Sequence, residues 1–145
     1  MRFKYPLKAS ETLTYSTKVN DYRRLTKDDK RTLVNNFKEF YKYCFWYQNL
    51  PMPTRDQLFM AKHMAKLALS KDRVPSMLQA QRGLAKSLTV QLLSVWLLLR
   101  NKNEKIVVVS ATGRRSESFT LFCLNLLRTI PLLQHLQPNT DQRSS

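Results

Sequence analysis

Of the 145 residues only two are glycine, two cysteine and two histidine, and ten acids stand against twenty-five lysines and arginines. Each scarcity removes a class of function. Cys44 and Cys123 sit within apolar helical patterns, and neither His63 nor His135 has a cysteine or second histidine at metal spacing. The sequence therefore offers no metal cluster, and its thiols read as buried and free in a reducing compartment. The longest apolar stretch, residues 92–99, is interrupted by Ser94 and is too short to cross a bilayer. The basic start, Met1-Arg2-Phe3-Lys4-Tyr5-Pro6, lacks an apolar core of signal length. Together these predict a soluble protein of the cytoplasm with no membrane partner.

The shortage of acids leaves a formal charge of +15. It is not confined to a tail: residues 1–50 carry +6 and residues 51–145 carry +9. A basic surface this widespread suits a polyanion such as DNA or RNA. It equally suits a chain whose acidic complement lies on another polypeptide. At 43% hydrophobic residues, the length and composition fit one modest globular domain.

Residues 1–25 form a polar, basic arm without clear period. Its aromatics Phe3, Tyr5, Tyr15 and Tyr22 alternate with Arg and Lys, a pattern that suits base stacking or plain packing onto the domain. Thr26-Lys27-Asp28-Asp29 reads as a capped helix start. Leu33, Phe37, Phe40, Tyr41 and Cys44 then recur at helical spacing, predicting one helix to about Tyr47. Leu50-Pro51-Met52-Pro53 breaks it. Thr54 opens a second helix with a stripe of Leu58, Ala61, Met64, Ala65 and Ala68. Residues 74–80 are predicted as a strand entering a loop, and residues 87–100 as the helix leaving it. The run Lys105-Ile106-Val107-Val108-Val109-Ser110 is the strongest predicted strand, buried on both faces as in a parallel sheet covered by helices. Residues 114–130 are predicted helical, with Phe119, Phe122, Cys123, Leu126 and Leu127 on one face. The expected fold class is α/β: the opening of a parallel sheet flanked by helices, preceded by an N-terminal helical segment at 26–50.

The richest local pattern is Gln79-Ala80-Gln81-Arg82-Gly83-Leu84-Ala85-Lys86-Ser87. A Lys-Ser pair opening a helix after a tight turn is how a phosphate loop works: helix N–H groups face the anion, lysine reaches the outer phosphates, and the hydroxyl binds Mg²⁺. Both expected glycine positions are alanine, Ala80 and Ala85. As plain structure, Ser87 caps the helix and Lys86 is a solvated cation. Arg82, four residues before Lys86, has the place of an arginine that stabilises charge on the γ-phosphate, or of a surface arginine. Gln57 stands three residues after Thr54, which is the spacing of a capping box. Its amide can instead read an adenine edge, and one glutamine does not easily serve both roles. Ser110-Ala111-Thr112, with Arg114 and Arg115, follows the strongest predicted strand and is expected to face the same side as the loop.

Equally telling is a missing acid. ATP hydrolysis needs a carboxylate, usually after an apolar strand, to hold Mg²⁺ and position water. After Lys86 the only acids are Glu104, Glu117 and Asp141, and none follows four apolar residues.

With these residues in place, the chain resembles the N-terminal ATPase portion of the large terminase subunit (DNA maturase) of short-tailed bacteriophages. The resemblance covers roughly residues 33–143. It runs through Asn49-Leu50-Pro51-Met52-Pro53-Thr54 and Gln57, the loop from Leu78 to Ser87, Val95-Trp96, residues 105–111, Leu132-Leu133 and Leu136-Gln137-Pro138. It implies a RecA-like P-loop NTPase core over residues 51–145, using ATP and Mg²⁺ to drive packaging of double-stranded DNA. It also implies Gln57 as adenine contact, residues 79–87 as phosphate loop with Arg82 and Lys86 as catalytic residues, Ser87 on the metal, and Ser110-Ala111 as a coupling segment. Portal protein and small terminase subunit are the implied partners. The family continues with the acidic strand and a nuclease, so the core is expected to be incomplete: a fragment, the product of a split or truncated gene, or one half of an ATPase completed by a second chain. The rival readings are a small basic nucleic-acid-binding protein without enzymatic activity, and part of a helicase-type ATPase.

Overall fold

Thr26 and Asp29 cap each other reciprocally. The Asp29 backbone N–H donates to the Thr26 hydroxyl at 3.1 Å, and the Thr26 N–H donates to the Asp29 carboxylate at 3.0 Å. These bonds start α1 (Lys27–Asn35), and the Thr26 hydroxyl, donating to the Asp29 carboxylate at 2.7 Å, together with the Thr26 N–H holds that carboxyl below its ordinary range. The structure, a computed structural model, describes residues 22–71 and 75–137.

The single helix expected from 26 to 47 is two. Asn36 leaves helical geometry, and its side-chain oxygen accepts from the N–H groups of Lys38 and Glu39 at 3.1 and 3.4 Å. Thus α2 (Phe37–Tyr47) starts afresh. Asparagine favours caps over helix interiors because its side chain competes for backbone groups. The apolar spacing continues across the break, so periodicity alone does not reveal it. After Pro51 and Pro53, Thr54 and Gln57 form a second capping box that opens α3 (Arg55–Ala68). Helices α4 (Lys86–Arg100) and α5 (Gly113–Thr129) follow, then a 3₁₀ turn (Pro131–Leu136).

The core is built on α2 and α4. Phe40, Tyr41, Tyr43 and Cys44 of α2 are fully buried, as are Leu92 and Val95 of α4, with Trp96 almost so. The Phe37 ring centroid lies 5.2 Å from that of Trp96. The Trp96 indole N–H donates to the Leu33 carbonyl at 3.1 Å, so a large apolar side chain also joins α4 to α1 by a satisfied polar tip. Small residues Ala61 and Ala65 let α3 approach this layer, while Leu126, Leu127, Ile130 and Leu133 complete it from the chain's later part.

The parallel sheet is overturned. Among the described residues there is no strand, and the fold is helical, so a RecA-like sheet core is not what the chain forms. Residues 105–110 have no regular secondary structure and no ladder partner among the described residues. Ile106 and Val108 are 36% and 37% exposed, whereas Val107 and Val109 are 85% and 89% exposed. The alternation is that of a strand with one face resting on the protein. It does not make a strand, because that state requires a neighbouring chain for each backbone N–H and C=O. In the segment expected as the entering strand, Val74 lies outside the described residues, and residues 75–80 are irregular with Met77 92% exposed. Pro75 has no N–H to give to a ladder, which argues against a central strand there. The expected arm aromatics Phe3, Tyr5 and Tyr15 lie outside the described residues. Tyr22 is half-buried, with the Lys30 ammonium 4.6 Å from its ring centroid. Among the described residues, no helix is long and apolar enough to cross a membrane, and no group of His, Cys, Asp and Glu is placed to hold a metal ion.

Candidate phosphate-binding loop

The loop of residues 79–87 reverses direction twice on positive φ. Gly83, with φ of +89°, has open space around it, and glycine takes this conformation without steric cost. Ala85 follows at φ 56° and ψ 37°, the left-handed region, as the residue before α4. For alanine this costs on the order of 1–2 kcal/mol. The position expected to need glycine does have the backbone geometry glycine favours, held here by a residue that is strained in it.

That strain is held in place by two contacts. The Lys86 ammonium donates to the carbonyls of Ala80 and Gln81 at 2.7 and 2.8 Å, so the side chain folds back across the loop that precedes it. At the other end the Thr89 hydroxyl donates to the Ala85 carbonyl at 3.0 Å and lies 2.9 Å from the Tyr41 hydroxyl. Thr89 has one proton, already given to Ala85, so Tyr41 is the donor to Thr89. Burial pushes the Tyr41 phenol above its ordinary value, keeping that proton in place. The chain Tyr41–Thr89–Ala85 thus fastens the loop exit to the aromatic core.

No side chain caps α4, and no acid occupies its first turn. Its first N–H groups are therefore left for an external acceptor, at the positive end of the helix dipole. Lys86 keeps one of its three ammonium protons uncommitted by the two loop carbonyls. The Ser87 hydroxyl, the next residue, is exposed. Gln79, Gln81 and Arg82 are exposed; Ala80, Leu84, Ala85 and Lys86 are half-buried. Among the described residues, the groups an oxyanion could use here are the first N–H groups of α4, the third Lys86 proton and the Ser87 hydroxyl.

Other expected site residues lie elsewhere. Gln57 is engaged as a cap: its side-chain oxygen accepts from the Thr54 N–H at 2.9 Å, and its own N–H donates to the Thr54 hydroxyl at 3.3 Å. Ser110 donates to the Thr112 carbonyl at 2.6 Å and lies 2.7 Å from the Ser116 hydroxyl. Arg114 and Arg115 are exposed at the start of α5. No hydrogen bond among the described residues joins residues 110–115 to residues 79–87. Tyr41 and Thr89 were missed as supports of the loop. Their helical spacing marks them only as core, and nothing local says that two hydroxyls forty-eight positions apart meet.

Comparison with known proteins gives one clear likeness. The chain is 38% identical over 113 residues to the terminase large subunit of Enterobacteria phage T3, an alignment covering 78% of this chain and 19% of that protein. No family model matches the chain, and no solved structure matches it. The chain is a relative of the phage large terminase subunits and corresponds to part of one. It spans about a fifth of the length of the phage T3 protein.

Proposed function

We propose that this chain is the nucleotide-binding part of a terminase large subunit, serving ATP-driven packaging of viral DNA. The observation that carries this reading is the loop geometry: a left-handed residue feeds directly into an uncapped helix while Lys86 curls back over the turn. In this reading the N–H groups at the start of α4 and the Lys86 ammonium hold the ATP phosphates, with Gln79, Ala80, Gln81, Gly83, Leu84 and Ala85 forming the wall around them. Ser87 supplies a hydroxyl to Mg²⁺, and Arg82 swings from solvent toward the outermost phosphate. The metal contributes charge neutralisation between phosphate oxygens.

Gln57 has a narrower role than the resemblance implies. Its carbonyl oxygen is occupied by the Thr54 N–H, so it meets adenine chiefly as an amide donor. Double-stranded DNA, the portal protein and the small terminase subunit are the partners this reading assigns. Glu104, Glu117 and Asp141, the acids after Lys86 in this sequence, do not follow an apolar run, and this reading gives none of them the task of activating water.

The test is titration of the chain with a fluorescent ATP analogue and Mg²⁺. Lys86→Ala is expected to weaken binding at least tenfold, the size of a charge-assisted hydrogen bond. Ala85→Gly, which relieves the strained exit, is expected to leave binding intact and raise stability by up to about 1 kcal/mol. Unaltered nucleotide binding in Lys86→Ala, with circular dichroism unchanged, sinks the reading. The absence of a sheet among the described residues favours a second reading, a basic nucleic-acid-binding protein without enzymatic activity. Salt-sensitive DNA binding indifferent to ATP and to Lys86→Ala supports that one.

A further inference from the structure

The outer side of α3 carries a pattern that neither the loop nor the core uses. Arg55, Phe59, Lys62 and Lys66 are all exposed, at spacings of four, three and four residues. At 3.6 residues per turn they form one stripe about 17 Å long, roughly a third of a turn around the helix from buried Ala61 and Ala65. Phe59 is 74% exposed, yet it is not simply loose: its ring lies parallel to that of exposed His63, with centroids 6.4 Å apart and planes 10° from each other. Among the described residues, Arg55, Lys62 and Lys66 make no ion pair; the nearest acid in sequence, Asp56, lies at the stripe's edge beside Arg55.

A bare phenyl ring held between cations is poorly suited to water and well suited to a polyanion that also offers flat apolar faces. A phosphate chain with unpaired bases has both. We propose that this stripe binds single-stranded nucleic acid, with a base stacking on Phe59 beside His63 while Arg55, Lys62 and Lys66 neutralise flanking phosphates. Charge complementarity argues for this occupant: three cations line the stripe in a chain of net charge +15. A continuous duplex meets the cations but hides its base faces within the stack, leaving Phe59 without a partner. Stacking tolerates any base, so the site reads strandedness and not sequence.

The site is separate from the phosphate-binding loop, and its test is independent of that reading. Binding of a fluorescein-labelled oligothymidylate about 12 nucleotides long, and of a duplex of equal length, is measured by anisotropy with the full chain over a salt series. Phe59→Ala is expected to weaken single-strand binding about tenfold and leave duplex binding nearly unchanged, while Phe59→Trp restores it. Lys62→Gln with Lys66→Gln is expected to lower the salt slope by about 1.4 for the single strand. Lys102→Gln, which removes an exposed cation outside both sites, is expected to bind the oligonucleotide as the unaltered chain does. The variants at Phe59, Lys62 and Lys66 change exposed side chains, and circular dichroism verifies their fold. Unchanged single-strand affinity in Phe59→Ala overturns the proposal. So does an equal loss for strand and duplex, or equally strong binding to phosphatidylserine vesicles that Phe59→Ala reduces alike.

Discussion

Residues 37–47 and residues 105–110 are both rich in large apolar side chains, yet the structure treats them oppositely. The first, α2, buries Phe37, Phe40, Tyr41, Tyr43, Cys44, Phe45, Trp46 and Tyr47, whereas the second leaves Val107 and Val109 almost wholly open. Hydrophobicity does not separate them. What does is where the backbone finds its hydrogen bonds. A helix satisfies its N–H and C=O groups within itself and then needs only a surface to pack against. An extended segment needs a neighbour to satisfy its backbone before packing matters. Phe37 and Trp96 illustrate the first case, meeting at 5.2 Å once both helices exist. Val107 and Val109 illustrate the second.

The comparison is most sharply broken at Trp96. Trp96→Ala removes the ring between α1, α2 and α4 together with the bond to the Leu33 carbonyl, and is expected to cost about 3–5 kcal/mol in urea unfolding. If the loss stays below about 1 kcal/mol, α2 and α4 are not the core.

A smaller loss is expected at alkaline pH, again confined to the buried region. Burial pushes the Cys44 thiol well above its ordinary value and the Cys123 thiol up to about 11. Both folded values lie above the unfolded thiol value of 9.0. Protons are therefore bound more tightly in the folded chain, and the stabilising contribution is complete below pH 9 and lost as pH climbs toward 11. Thermal melts are expected to be level between pH 7 and 8.5 and to fall above 9. Cys123→Ser should flatten part of that fall; a melt that rises with pH contradicts thiol burial.

The smallest effect belongs to the exposed segment. Val107→Ser combined with Val109→Ser is expected to change unfolding free energy by no more than about 0.5 kcal/mol per site. A loss as large as that of Trp96→Ala means that these valines are covered in solution, and the contrast between the two regions disappears.

Much of the helical layout is legible in residue types. Thr26 with Asp29 and Thr54 with Gln57 mark helix starts because a hydroxyl and an acceptor three residues later satisfy each other's backbone N–H groups. Leu126 and Leu127 mark a buried face by spacing. The break at Asn36 is hidden because the apolar rhythm runs straight through it, although its amide caps α2. The stripe from Arg55 to Lys66 is legible at its four-three-four spacing once the helix from Thr54 is placed. In the loop, alanine at the expected glycine position 85 gives no sign in the sequence that its backbone is left-handed.

The amino-acid order by itself determined the caps, the apolar faces, the spread of positive charge and the likeness to a terminase large subunit. These depend on neighbours within a turn or on plain residue identity. Tertiary structure alone decided that residues 105–110 stay single and that Tyr41 reaches Thr89 to steady Ala85. Strand pairing and buried hydroxyl contacts join positions far apart in the chain, and no local pattern specifies which distant group arrives.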